Sequence, residues 1–189
     1  MELPSTMKQL GKMSFYSCEK LTSIAINDSL ESIGEQAFEG CKSLLLNKLP
    51  DKLTYIGSEA FRNCSKITIA SIPNGIELIL SNTFRGCTEL RITEFGSNDN
   101  SSKLSGINQD AFYNAGNGSK TIEEIIIYNS VNSIAKNAFD FYARNTLKTV
   151  NFAKTLNDYN VISARELGFK QSDLTVVENY IDILVVMVF

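Results

Sequence analysis

The sequence contains no histidine and no tryptophan among its 189 residues. The absence of histidine excludes every catalytic arrangement that needs an imidazole, including serine–histidine–aspartate triads and cysteine–histidine pairs, and it excludes histidine-ligated metals. The motifs of serine hydrolases, phosphate-binding loops and dinucleotide-binding loops are also missing. These absences predict a protein that carries out no catalysis and holds no metal or cofactor.

An excess of positive charge is missing as well. The sequence has 18 basic and 21 acidic residues, a net charge of −3. Nucleic-acid-binding domains usually carry a basic face, and anionic membrane surfaces attract clusters of lysine and arginine. We therefore expect neither nucleic acid nor a membrane among the partners of this chain.

Long hydrophobic runs are absent except at the C-terminus, where residues 181–189 are apolar apart from Asp182. This run is too short to cross a bilayer, because a membrane-spanning helix needs about 20 residues. We interpret it as a buried strand, with the beginning of a membrane helix as the alternative. At the other end, residues 1–5 show no basic segment followed by an apolar one, so no signal peptide is visible.

What the sequence does contain is a repeat. Phe15, Phe38, Phe61 and Phe84 are spaced 23 residues apart, and each is followed three residues later by a cysteine. Isoleucine or leucine recurs at further fixed offsets. The repeat continues after short insertions to Phe112 and Phe139. Units of this length cannot bury their own apolar residues, so they must stack on one another.

The pattern predicts a solenoid with one short parallel strand per coil, as in Leu21–Ile26, and a short helical turn around each phenylalanine on the opposite side. Gly40, Asn63, Gly86 and Asn114 share one repeat position. Since glycine and asparagine tolerate left-handed backbone, we expect each turn to end there. We assign residues 1–160 to about six coils, the first incomplete, and residues 161–189 to a non-repeat segment that caps the last coil.

Residues 30–44, LESIGEQAFEGCKSL, and residues 53–67, LTYIGSEAFRNCSKI, resemble the BspA-like class of leucine-rich repeats. The resemblance implies a leucine-rich repeat solenoid of the α/β horseshoe type. It also implies a cell-surface or secreted protein, because members of this class are typically surface or secreted proteins of anaerobic bacteria and of some parasitic protists. Several members act as adhesins toward host proteins or other cells.

The four cysteines occupy one repeat position, which predicts a line of side chains pointing into the core. Free buried cysteine behaves as a small hydrophobic residue. Neighbouring coils would nevertheless bring the α-carbons within disulfide range. Disulfides between adjacent coils therefore stay open as an alternative, as does a metal site, although zinc sites need pairs of ligands that converge.

Solenoids bind partners through the surface formed by their strands. Leu46, Ile69 and Ile92 fall at one position that is expected to face outward. If they do, they form an exposed apolar patch, which would mark a contact site. The alternative is a bulge or register shift that turns these three side chains into the core.

Other candidate partner-binding residues lie at outward strand positions or directly after a strand. They are Lys48, Glu94, Glu124, Ile126 and Tyr128. The insertions at 96–103 and 116–120 protrude next to them, and insertions in repeats often belong to the binding face. These residues predict a surface for a protein ligand, with host extracellular proteins as one class.

Three functions remain open from the sequence. The first is a protein-binding module of a cell-surface or secreted protein, active in adhesion or host interaction. The second is a structural spacer or stalk within a larger surface protein, and the third is an accessory domain beside a hydrolase that lies outside these residues. The chain opens in the middle of a unit, at Leu3 and Pro4, so we also expect an exposed core edge there and end-to-end self-association.

Overall fold

The computed structural model describes residues 2–118 and 121–180. The chain forms a solenoid of stacked coils, as the repeat predicts, and we number the coils 1 to 7 by their central phenylalanines. Within the described ranges, ten short strands and two 3-10 helices make up the regular structure: β1 Gln9–Leu10, β2 Ser32–Ile33, β3 Tyr55–Ile56, β4 Leu78–Ile79, β5 Glu94–Phe95, β6 Gly106–Ile107, β7 Glu124–Ile127, β8 Ser133–Ile134, β9 Thr149–Phe152, η1 Leu156–Tyr159, η2 Ala164–Leu167 and β10 Thr175–Val177. None of the helices in the described ranges has the length and apolarity to cross a membrane.

All strands pair in parallel with the equivalent strand of a neighbouring coil. The strand predicted after each phenylalanine forms in coils 4 to 7 as the sheet β5-β7-β9-β10. In coil 1 the predicted strand Leu21–Ile26 is wrong, since this segment makes only an isolated bridge at Ala25. A second set of strands precedes the phenylalanines and forms the sheets β1-β2-β3 and β4-β6-β8. The repeat pattern in the sequence does not predict this second set. Each of its strands is only two residues long and places one buried apolar residue in the core, such as Ile33 opposite Ile56.

The phenylalanines form one continuous ladder through the core. Rings of successive coils are stacked with centroids 4.8 to 5.6 Å apart. The ladder consists of Phe15, Phe38, Phe61, Phe84, Phe112, Phe139 and Phe169. Stacked aromatic side chains combine a large buried area with a fixed ring geometry, so the ladder holds the coils in register.

The segments around the phenylalanines consist of tight turns whose backbone groups also bond to the next coil. Phe38 N–H donates to Ala60 O and Gly40 N–H donates to Arg62 O, both at 2.8 Å. The predicted left-handed position is confirmed, with φ of 76° at Gly40 and 59° at Asn63. A second left-handed residue lies four positions earlier in each turn, as at Gln36. Backbone amides of the turn therefore donate their hydrogen bonds to the neighbouring coil.

The four cysteines are free, as the core interpretation predicts, and three of them are buried. The thiols of Cys41, Cys64 and Cys87 donate hydrogen bonds to the carbonyl oxygens of the preceding coil's phenylalanine, at 2.9 to 3.1 Å. Burial raises the pKa of Cys41 to about 11 and raises the pKa of Cys64 further. Cys18 is exposed, because its turn has no described coil on the other side.

This arrangement predicts unequal thiol reactivity. In the native protein at pH 8, we expect one thiol, that of Cys18, to react rapidly with an aromatic disulfide reagent. The other three are shielded from the reagent and held as neutral thiols. After unfolding without a reductant, all four thiols should react. Fewer than four in the unfolded protein would show that a disulfide has formed.

The stacking continues beyond residue 160, where the sequence analysis placed the end of the repeats. Phe169 follows the helix η2, and its ring stacks on that of Phe139 with centroids 4.8 Å apart. The strand β10 pairs with β9. Residues 161–180 thus form most of a seventh coil, which covers coil 6. The strand expected at residues 181–189 lies outside the described residues.

One aromatic side chain bridges coils that are not neighbours. Tyr142 occupies the cysteine position of coil 6, is fully buried, and donates its hydroxyl hydrogen to the carbonyl oxygen of Ile92 in coil 4. It can reach that far because coil 5 has the small Ala115 at the same position. Burial strongly raises the pKa of the Tyr142 hydroxyl, so the group stays protonated and keeps its hydrogen to donate.

Candidate protein-binding face

The outward side of the sheet β5-β7-β9 is the surface we call the strand face. Side chains alternate along a strand, so Ile125 and Ile127 enter the core while Glu124 and Ile126 point outward. The ladder register places Glu94 beside Ile126. The structure thus brings together three of the predicted partner-binding residues on two adjacent coils.

Asn151 holds this part of the strand face in place. It lies in β9 opposite Ile126, is almost completely buried, and its side-chain amide donates a hydrogen bond to Oε1 of Glu124. This hydrogen bond fixes the position of one carboxylate oxygen of Glu124. The contact joins coils 5 and 6, so no pattern within one repeat unit predicts it.

A shallow groove runs across the strand face and has Glu94 at its centre. One depression, of about 350 Å³, includes Glu94, Glu124 and Ile126 in its lining. Two further depressions, of about 300 and 350 Å³, also have Glu94 in their linings and extend towards coil 3 and towards Tyr128. The three depressions share this residue, so they adjoin one another, and together they are the surface we call the groove.

The groove is acidic. Its linings include the carboxylates of Glu94, Asp99, Glu123 and Glu124, of which Glu123 is paired with Lys148 at 3.0 Å. Hydrogen bonds from Ser101 lower the pKa of Asp99, so that carboxylate stays charged. Within residues 2–118 and 121–180, no basic side chain pairs with Glu94.

Tyr128 and the loop after β5 form one end of the groove. The loop is held against the next coil, because Ser97 N–H donates to Ser130 Oγ at 3.0 Å and Asn129 N–H donates to Asn98 Oδ1 at 3.2 Å. Tyr128 is half-buried beside it. The insertion predicted to protrude therefore contributes an ordered wall to the groove.

Of the two interpretations left open for Leu46, Ile69 and Ile92, the exposed apolar patch is wrong. Ile69 and Ile92 are fully buried, and Leu46 is half-buried against the core. In coil 3 the next two residues, Ala70 and Ser71, both point outward. Ile69 and Ile92 therefore turn into the core, as the alternative interpretation predicts, and the two outward residues after Ile69 lie outside any regular strand.

Lys48 is exposed, as predicted, but it lies apart from the groove. With Leu46 it lines a separate depression in coils 1 and 2. Its ammonium group is 2.9 Å from Asp51 Oδ2, and the hydrogen bond to Asp51 raises the pKa of Lys48. Lys48 therefore does not join the acidic groove around Glu94. The described residues contain no cluster of three or more cysteine, aspartate or glutamate side chains arranged to hold a metal ion.

Comparison with known proteins gives one family and several structures. The sequence profile of the BspA type leucine rich repeat region matches residues 1–117 and 71–177, with six copies of the repeat. No curated protein sequence matches the chain.

Three solved structures are similar. A leucine-rich repeat protein from Bacteroides ovatus is 22% identical with a TM-score of 0.56, covering 94% of this chain and 44% of that protein. The leucine-rich repeat protein of T. pallidum is 17% identical with a TM-score of 0.51, covering 93% and 86%. A leucine-rich cell-surface protein from Faecalibacterium prausnitzii is 23% identical with a TM-score of 0.48, covering 80% and 54%. The chain thus spans about half the length of the Bacteroides and Faecalibacterium proteins, and the likeness to the Bacteroides and T. pallidum proteins shows the fold.

Proposed function

Because the chain belongs to the BspA-type leucine-rich repeat family, we propose that it is a protein-binding module whose ligand docks in the groove of the strand face. The observation that carries the proposal is the meeting of three depressions at Glu94. The pairing of β5 with β7 fixes the backbone at Glu94. A preformed groove lowers the entropic cost of binding.

The chemistry of the groove favours a ligand with basic side chains. Glu94 and Glu124 present carboxylates at the exposed surface, and Ile126 adds an apolar contact between them. Complementary charge steers the encounter and selects the partner, while the apolar contact contributes to the affinity. A basic segment of an extracellular protein fits this combination.

We place this binding at the cell surface or outside the cell, in adhesion or host interaction. Support comes from the family, whose members are typically surface or secreted proteins. The described residues also carry a polar groove rather than an enclosed reaction cavity, and this favours holding a ligand over transforming it.

The test compares two glutamate-to-lysine variants of the same coil. Purified chain is immobilised and exposed to a panel of purified host extracellular proteins, and binding is followed by biolayer interferometry. We expect at least one ligand to bind, and Glu94→Lys to weaken it by about tenfold or more, as for a central contact. Glu77→Lys, at an exposed position that lines none of the three depressions, should change the affinity less than about twofold.

Two results would reject the proposal. Equal weakening by both variants would show that the groove is not the docking site. Absence of binding by any member of the panel would favour a spacer within a larger surface protein.

A further inference from the structure

The turn of coil 6 contains a strained aromatic residue that the core does not need. Phe141 occupies the left-handed position that holds glycine or asparagine in coils 2 to 5, and its φ is 59°. Left-handed backbone is unfavourable for a bulky side chain. The ring lies outside the phenylalanine ladder and is 36% exposed. Because the strained Phe141 does not pack in the core, we expect its side chain to have a role at the surface.

Positive charges surround this ring. The guanidinium of Arg144 lies 5.5 Å from the ring centroid of Phe141, and the ammonium of Lys170 lies 5.9 Å from it. The ring of Tyr113 meets Phe141 edge to face at 5.5 Å, and Arg85 lies 4.0 Å over the Tyr113 ring. Two aromatic rings and three cations thus form a strip across the turn side of coils 4 to 7.

A pocket of about 180 Å³ opens beside Phe141, and Arg144, Gly168, Lys170 and Gln171 complete its lining. Gly168 allows the close approach of coils 6 and 7, because a β-carbon there would lie 2.3 Å from the backbone nitrogen of Asp140. The pocket is thus formed by the stacking of coil 7 on coil 6.

The charge of the pocket is uneven. Lys170 is paired with Asp140 at 2.9 Å, and the Asp140 side chain is nearly buried. For Arg144, by contrast, the described part of the chain provides no acidic partner. A guanidinium with free donors is well suited to bind a carboxylate through two parallel hydrogen bonds.

We propose that this pocket beside Phe141, which we call the edge pocket, binds an acidic peptide segment of a partner protein. An aspartate or glutamate of the peptide pairs with Arg144, and a neighbouring apolar side chain enters the pocket against Phe141. A polysaccharide fits less well, because its hydroxyls need several polar partners. The only uncharged polar side chain of the lining, Gln171, already donates to the carbonyl oxygen of Tyr142 at 3.3 Å. The site lies on the turn side, so it does not rest on the strand-face proposal.

The test uses a fluorescein-labelled peptide of alternating aspartate and leucine, and a matched peptide in which lysine replaces aspartate. Binding to the full chain is measured by fluorescence anisotropy at low and at physiological salt. We expect saturable binding of the acidic peptide that weakens with salt. Arg144→Ala and Phe141→Asn should each lower the affinity by about tenfold or more. Arg91→Ala, an exposed arginine outside the pocket, and Glu94→Lys should leave it within about twofold.

Phe141→Asn separates binding from folding. Asparagine adopts left-handed backbone readily, as Asn114 does at the same position in coil 5. We therefore expect this variant to retain the wild-type melting temperature while it loses the peptide. The proposal is overturned if the variants bind the acidic peptide as well as the wild type does. It is also overturned if the lysine peptide binds equally well, or if a heparin oligosaccharide binds at the same residues in preference to the peptide.

Discussion

Replacement of Ile69 by aspartate is expected to unfold the protein or bring it close to unfolding. The side chain of Ile69 is fully buried in coil 3. The variant loses the burial of a large apolar group and places a carboxyl group where nothing can bind it. The combined loss in the free energy of unfolding is about 4 kcal/mol or more. Urea denaturation followed by circular dichroism measures it.

The neighbouring residue provides the control. Ala70 points outward, so Ala70→Asp should change the free energy of unfolding by less than about 0.5 kcal/mol. If Ile69→Asp proved as stable as Ala70→Asp, Ile69 would face the solvent. The exposed apolar patch would then be the right interpretation of this strand position.

Truncation of a ring in the middle of the phenylalanine ladder should have a comparable effect. Phe61 is fully buried and is stacked between Phe38 at 5.5 Å and Phe84 at 5.6 Å. Phe61→Ala leaves a cavity between two coils and removes both ring contacts. We expect a loss of about 3 to 5 kcal/mol in the free energy of unfolding, measured by the same denaturation.

Phe15→Ala is the matched control for the ladder. Phe15 is half-buried and stacks on Phe38 alone among the described rings. Its truncation should cost clearly less, about 1 to 2 kcal/mol, because less apolar area is exposed by the change. Equal losses for the two variants would mean that the rings contribute independently of their position in the stack.

The sequence contains enough information for the core of this fold. A phenylalanine every 23 residues, with fixed apolar offsets, allows only a stack of coils, and the rings of Phe38 and Phe61 do lie one on the other. The glycine or asparagine two residues after the phenylalanine of coils 2 to 5 predicts left-handed backbone, as at Gly86. Both signals are local and recur along the repeat, so they identify the structure directly.

Features that depend on contact between coils could not be predicted in the same way. Ile69 turns inward in a segment whose backbone bonds to the adjacent coil, from Arg91 N–H to the carbonyl oxygen of Ile69 at 3.0 Å. The ring of coil 7 does not show the period, because Phe169 follows Phe139 by 30 residues, seven more than one repeat, with η1 and η2 in between. The ring nevertheless reaches the ladder.

The residues of the candidate sites also divide into those that a local sequence pattern predicts and those that depend on contacts between coils. Glu94, Glu124 and Ile126 follow from strand alternation, since β5 and β7 are regular at these positions. Their grouping with Asp99 depends on the course of the loop after β5 and is not encoded in a local pattern. For the edge pocket a signal was present: Phe141 stands where other units have glycine or asparagine, and an exception at such a position marks a residue worth testing.

The hydrogen bond from the Tyr142 hydroxyl to the carbonyl oxygen of Ile92 affects how the coils unfold from an end of the solenoid. In a repeat array that depends only on nearest neighbours, coils fray one at a time from an end. The hydroxyl contact skips coil 5, so coil 6 cannot detach without breaking a bond made in coil 4. The amides of these three coils should therefore exchange with deuterium as one cooperative block, more slowly than those of coil 1.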